Sequence, residues 1–175
     1  ISLFYPDNCL ICHQLLLKEE EHFCFNCFLS LERISEHSME ADNLHKKFAA
    51  YPQVILASSF LSFKANGSSG KLIHAFKYNS ATELAVYLGS LLASEQKALI
   101  SKYDWDGILP VPLHVERLKK RGYNQSKLLA DGMHKVLDIP VLTNKVYRTM
   151  QTKTQTGKSK LDRWKSMSAI YELAD

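Results

Sequence analysis

Beyond Cys27 the chain has no cysteine, so thiol chemistry and cysteine-borne metal binding are confined to its amino-terminal end. Long hydrophobic runs are missing too. No apolar stretch approaches the roughly 18 residues that cross a bilayer, which argues against membrane insertion. No basic start followed by an apolar centre opens the chain, so a secretory signal is not expected and the cytoplasm is the expected compartment. A dominant charge of one sign is also lacking. With 22 Lys and Arg against 18 Asp and Glu the net charge is +4, which permits an anionic partner without demanding nucleic acid. What is present is close to globular averages, with 46% hydrophobic and 23% charged residues, enough to bury a core in one domain with a small appendage. The chain opens on Ile1 and ends on Asp175 after an apolar run at 170–173, from which the expectation is a fragment of a longer protein.

The four cysteines form two CxxC pairs, Cys9 with Cys12 and Cys24 with Cys27, separated by eleven residues. Such knuckles bring four thiolates to the corners of a tetrahedron, the arrangement of a closed structural Zn²⁺ site. A segment this short has too little apolar area to fold alone, and the metal would supply the missing stability. Competing readings are two disulfides, redox-active pairs and free thiols. A cytosolic setting disfavours the first, and a redox pair more often stands alone at a helix start. His13 and His22 flank the knuckles and read as surface residues. Residues 30–48 read as a connector with helical parts.

Residues 54–63 are rich in strand formers and end in a turn cluster at 64–70, which predicts one long strand or two short ones. Residues 71–78 place Leu72, Ile73 and Phe76 on one helical face. Residues 81–94 repeat that pattern more strongly through Leu84, Ala85, Leu88, Leu91 and Leu92. The stretch 106–126, DGILPVPLHVERLKKRGYNQS, reads as the organising part of the chain. A short apolar run at 107–109 suits a buried strand. Pro110 and Pro112 then stiffen a loop at its carboxyl end, where ligands bind in open α/β sheets. Behind the loop come Arg117, Lys119, Lys120, Arg121 and Lys127, which suit an anion. Asn124 reads as the N-cap of a helix carrying Leu128, Leu129, Met133, Val136 and Leu137, stopped by the Asp-Ile-Pro at 138–140. A strand expected at 141–146 completes a βαβ unit, hence a parallel sheet. Residues 147–165 are polar and basic, a mobile loop or extended hairpin suited to be a lid over an anionic substrate.

The two knuckles, FKYNSATELAVYLGSLLA at 76–93, PVPLHVERLKKRGYNQ at 110–125, and an R-x3-T-x2-Q pattern at Arg148, Thr152 and Gln155 with Arg163 downstream together resemble the ComF family. That family comprises amidophosphoribosyltransferase-like proteins associated with natural competence and with gluconate-uptake neighbourhoods. The resemblance implies an α/β fold: a type I phosphoribosyltransferase-like parallel sheet, incomplete at the C-terminus, behind a small N-terminal zinc-binding module. It places a zinc-ribbon-like module and helical connector at 1–50 and the transferase-like domain at 51–175. Val111, Pro112, Leu113 and His114, with Arg117, Arg121, Asn124 and Gln125, are implied to bind the pyrophosphate of Mg²⁺-bound phosphoribosyl pyrophosphate. Arg148, Thr152, Lys153, Gln155 and Arg163 are implied to form a flexible hood loop, and Cys9, Cys12, Cys24 and Cys27 the zinc site. Met150 and Ser166 stand where the family pattern commonly has Arg and Asn. The family's phosphoribosyl-binding loop, a strand ending in paired aspartates before Thr-Thr-Gly, would follow Asp175. No general base or acceptor is identifiable, and a homodimer is allowed. The alternative expectation is a non-catalytic zinc-ribbon adaptor for single-stranded DNA or a DNA-uptake helicase.

Overall fold

The computed structural model describes residues 7–35, 37–78, 82–149 and 171–174, with the side chains of 76–78 excepted. The chain divides into two compact units, Ile1–Ala81 and Thr82–Asp175. The boundary expected at 50/51 falls inside the first.

The first unit holds α1 (Phe25–Leu29), α2 (Met39–Phe48) and α3 (Ser68–Tyr78). Its core gathers Cys9, Ile11, Phe23, Leu31, Phe60, Leu72 and Ala75. Phe23 and Phe28 stack with centroids 6.2 Å apart, and the Arg33 guanidinium lies 4.4 Å above the Phe28 ring while donating to its carbonyl at 2.9 Å. The cation thus closes the polar edge of an apolar stack. The strand expected across 54–63 is not formed. Only Leu61 bridges, to Arg33, with the Ile34 and Ser62 amides donating to the carbonyls of Phe60 and Glu32. Strand propensity expresses packing against a neighbouring strand. Val54 and Ile55 meet none here and stay exposed. α2 matches the helical connector expected from 30–48, capped by the Ser38 side chain, which accepts from the Ala41 amide at 3.2 Å.

The second unit contains α4 (Thr82–Glu95), α5 (Lys97–Ile100), α6 (Val115–Arg121), α7 (Gln125–Leu137), β1 (Val146–Arg148) and β2 (Tyr171–Leu173). α4 and α7 pack against each other through glycines. A Cβ on Gly89 would strike the Leu129 carbonyl, and one on Gly132 would strike the Val86 carbonyl. The Ser90 hydroxyl donates to the Gly132 carbonyl at 3.0 Å, so the two backbones touch where side chains normally intervene. Of the expected α4 face Leu84, Ala85 and Leu88 are buried while Leu91 and Leu92 are half-buried, with Ala93 buried beside them; the α7 stripe of Leu128, Leu129, Met133, Val136 and Leu137 is half-buried throughout.

The strands expected on either side of α7 are reduced to a single parallel bridge, Ile108 with Val141. The Ile108 amide donates to the Pro140 carbonyl at 2.8 Å and the Leu142 amide to the Ile108 carbonyl at 2.9 Å. Gly107 allows this approach, because a Cβ there would press on the Leu142 side chain. The strand expected at 141–146 breaks at a turn over 143–145. Val146 then opens β1, which pairs antiparallel with β2 in register Val146 with Leu173 and Arg148 with Tyr171. Among the described residues this two-stranded pair is the sheet, and the fold is a mixture of helix and strand. No helix among them is long and apolar enough to cross a membrane.

Candidate metal centre and anion-binding loop

The four thiols of Cys9, Cys12, Cys24 and Cys27 converge in the first unit, with all Sγ atoms within 4.8 Å of one another. None is in a disulfide. A tetrahedral Zn²⁺ with Zn–S bonds of about 2.3 Å needs sulfurs about 3.8 Å apart, and Cys12 Sγ lies 3.7 Å from Cys24 Sγ. The donor set therefore fits a closed four-thiolate zinc site, as the CxxC spacing predicts. Three of the cysteines are buried and Cys12 is exposed. His13 and His22 both have positive φ, 64° and 54°. They occupy left-handed turn positions beside the knuckles, and the metal-suited cluster among the described residues consists of the cysteines alone.

The thiols are not equivalent. Burial pushes the Cys9 thiol up, but the amides of Cys12, Cys24 and Ile11 facing its sulfur outweigh that and bring it down to about 6. The Cys12 and Cys24 amides lie 3.5 and 3.4 Å from this sulfur. Burial pushes the Cys27 thiol up, and the neighbouring thiols of Cys24, Cys12 and Cys9 push it further. The pocket thus offers one ready thiolate and resists a fourth until a cation balances it.

Three polar side chains hold the knuckles, and none of their partners is visible in the sequence pattern. Glu20 accepts from the Leu17 amide at 2.8 Å and the Phe25 amide at 2.7 Å, clamping the loop between the two CxxC pairs. Those two amides hold its carboxyl below the ordinary range, against a smaller opposing effect of burial. Lys71 of α3 donates to the Ile11 carbonyl inside the first knuckle at 3.0 Å. Glu32 accepts from the Ser69 amide at 3.1 Å, at the start of α3. Burial opposes ionisation of Glu32, but the amides of Ser69, Glu32 and Ser68 with the Ser69 hydroxyl leave its carboxyl lowered. Helix starts attract carboxylates in this way, and here the carboxylate comes from 37 positions upstream.

In the second unit the predicted loop leaves Ile108 and runs through Val111, Pro112 and Leu113 to His114, which caps α6 by accepting from the Glu116 amide at 3.3 Å. Gly122, with φ 84°, ends α6 in the left-handed region. Asn124 then performs two tasks. Its Oδ1 caps α7 by accepting from the Ser126 amide at 3.0 Å, and its Nδ2 donates to the Val111 carbonyl at 3.1 Å. That second bond ties the loop to the start of α7, so 111–114 and 124–125 are one local assembly. Val111 is exposed, while Pro112, Leu113, His114, Arg117 and Arg121 are half-buried. Gln125 is buried, and its Nε2 has no hydrogen-bond partner among the described residues. Lys127, counted with the basic residues in the sequence, pairs with Asp131 at 2.7 Å one helical turn on. Arg148 sits on β1 with its guanidinium 5.8 Å from the Tyr171 ring centroid. Thr152, Lys153, Gln155 and Arg163 lie outside the described residues.

These features define a class: a mixed helix-and-strand protein with a four-thiolate metal knuckle in one compact unit and a proline-stiffened loop feeding two capped helices in the other. The chain is 28% identical over 155 residues to Competence protein F of Haemophilus influenzae, a match covering 87% of this chain and 64% of that protein. This similarity supports assigning the chain to the ComF family, the one its motifs resemble. The chain spans 64% of the length of that curated relative. No family model matches the chain, and no solved structure does.

Proposed function

We propose that the protein is a phosphoribosyltransferase-like protein that binds Mg²⁺-bound phosphoribosyl pyrophosphate and serves DNA uptake during natural competence. The competence role rests on the similarity to Competence protein F. The ligand rests on one observation: the Ile108–Val141 parallel bridge joins the two ends of a crossover whose first loop is held to the start of α7 by Asn124. A loop at the carboxyl end of a parallel strand, feeding helix starts, is where α/β folds take anions. The parallel sheet of a type I transferase belongs to the same proposal, with Ile108 and Val141 as its first rung.

In this reading the diphosphate lies against the backbone at 111–114, with Arg117 and Arg121 neutralising it from α6. As the bond to the ribose carbon breaks, charge accumulates on the departing diphosphate. Fixed donors aimed at that charge act without reorganising, each contributing on the order of 3 kcal/mol. Arg148, on β1, and Lys153 would close on the diphosphate as hood residues. Zn²⁺ on the four cysteines is structural, since four thiolates leave no open coordination position. Isothermal titration with phosphoribosyl pyrophosphate and Mg²⁺ tests the reading. Saturable heat that Arg121→Ala reduces is expected; no heat, or heat unchanged in Arg121→Ala, overturns it.

A further inference from the structure

The metal-bearing unit carries an apolar face that its own core does not use. Leu15 and Leu17 alternate outward along an extended segment, 63% and 69% exposed, while Leu16 between them is half-buried. Phe25 and Leu29, four positions apart on one side of α1, are 62% and 60% exposed. Glu20 brings the backbone at Leu17 and Phe25 to one carboxylate, which accepts from the amides of both, so one residue of each pair is tied to the same point. Four large apolar side chains this exposed on so small a module are unusual.

The charge around this face differs from that of the chain as a whole. Residues 7–35, with Lys71 bonded to the Ile11 carbonyl, hold five carboxylates, at Asp7, Glu19, Glu20, Glu21 and Glu32, against three cations, Lys18, Arg33 and Lys71, a formal charge of −2 in a chain whose total is +4. A Zn²⁺ held by four thiolates would add −2 more. Glu19 and Glu21 are exposed on the turn between Leu17 and Phe25. An acidic rim repels nucleic acid and anionic lipid alike. It also disfavours a second copy docked by the same face, because a twofold contact would set the rim against itself.

We propose that this face of the zinc module docks a basic amphipathic helix of a partner protein, whose apolar side chains cover Leu17, Phe25 and Leu29 and whose Lys or Arg residues meet Glu19 and Glu21. Apolar anchors would supply the affinity and the carboxylates the selection of sign. None of these residues belongs to the loop proposed to hold the diphosphate, so the two proposals stand or fall separately.

The test uses the zinc-loaded chain and a labelled Leu/Lys amphipathic peptide about 18 residues long, with a Leu/Glu peptide of the same pattern as control, read by fluorescence anisotropy. The Leu/Lys peptide is expected to bind and the Leu/Glu peptide not. Leu17→Ser with Phe25→Ser, and separately Glu19→Gln with Glu21→Gln, should each weaken binding by about ten-fold or more. Zinc content is measured on every variant, and Leu15→Ser with Leu29→Ser replaces any pair that loses the metal. The proposal is overturned if the Leu/Lys peptide fails to bind, or binds the serine variants as tightly as the parent. It is also overturned by sedimentation revealing a dimer that Phe25→Ser dissociates, which would make a second copy the occupant. Binding that arises only after deletion of residues 1–6 would instead assign the face to the chain's own start.

Discussion

Glu32 and Ser69 meet across 37 positions of sequence, and their bond joins the segment after the second knuckle to the start of α3. Glu32→Gln keeps an acceptor and removes the charge. It should cost the first unit about 1 kcal/mol, less than the roughly 1.5–3 kcal/mol of a well-buried charge-assisted bond because solvent screens a half-buried carboxylate. Since the folded carboxyl titrates below its ordinary value of 4.5, its contribution is complete above that pH and disappears as pH falls through the lower folded value. Parent and variant should therefore differ at pH 7 and converge in strong acid, as read by urea denaturation at each pH with amide exchange in α3. At the metal site, zinc binding at pH 7 should release fewer than four protons, because Cys9, brought down to about 6, is already largely ionised. Nearer pH 5 the count should rise and the affinity fall; titration calorimetry in buffers of different ionisation enthalpy measures both. The cysteines were legible in the sequence because a CxxC knuckle is a local device whose spacing carries its chemistry. Glu32, Lys71 and Glu20 were not, because a carboxylate or ammonium on a surface has no periodicity to mark its distant partner.

The helices were the most legible elements. The stripes through Leu84, Ala85 and Leu88 and through Leu128 to Leu137 specify a 3.6-residue period whatever surrounds them, and Asn124 announces α7 by the chemistry of its cap. Their mode of contact was not legible, because Gly89 and Gly132 carry meaning only when the opposing carbonyls are known. Gly89→Ala should force α4 and α7 apart and destabilise the second unit by about 1–3 kcal/mol in chemical denaturation. Asn124→Ala should lose about 1 kcal/mol of cap energy. It should also release the loop at Val111, weakening phosphoribosyl pyrophosphate binding more than the stability loss alone explains. Strands were the least legible. Residues 54–63 have strand composition but no neighbouring edge over most of their length, and residues 141–146 split between a parallel bridge and an antiparallel pair because a turn at 143–145 reverses the pairing.

At the scale of the whole molecule the two compact units divide the chemistry, with thiolates in one and the basic loop in the other. Stripping zinc with a chelator should open the first unit, since its core contains Cys9, Cys24 and Cys27 themselves, and leave the α4–α7 pair protected. Hydrogen exchange should report fast amides across 9–31 alongside slow ones in both helices. The mild net charge of +4 concealed an acidic knuckle within a more basic remainder, a separation that composition averages away. The central claim, that the bend at 111–114 with the start of α7 cradles a diphosphate, is tested most directly by amide chemical shifts of the zinc-loaded protein titrated with pyrophosphate and Mg²⁺. Saturable shifts at Val111, Leu113, His114 and 122–126, absent with equimolar sulfate, are predicted. Shifts confined to other residues, or none up to millimolar pyrophosphate, would contradict it.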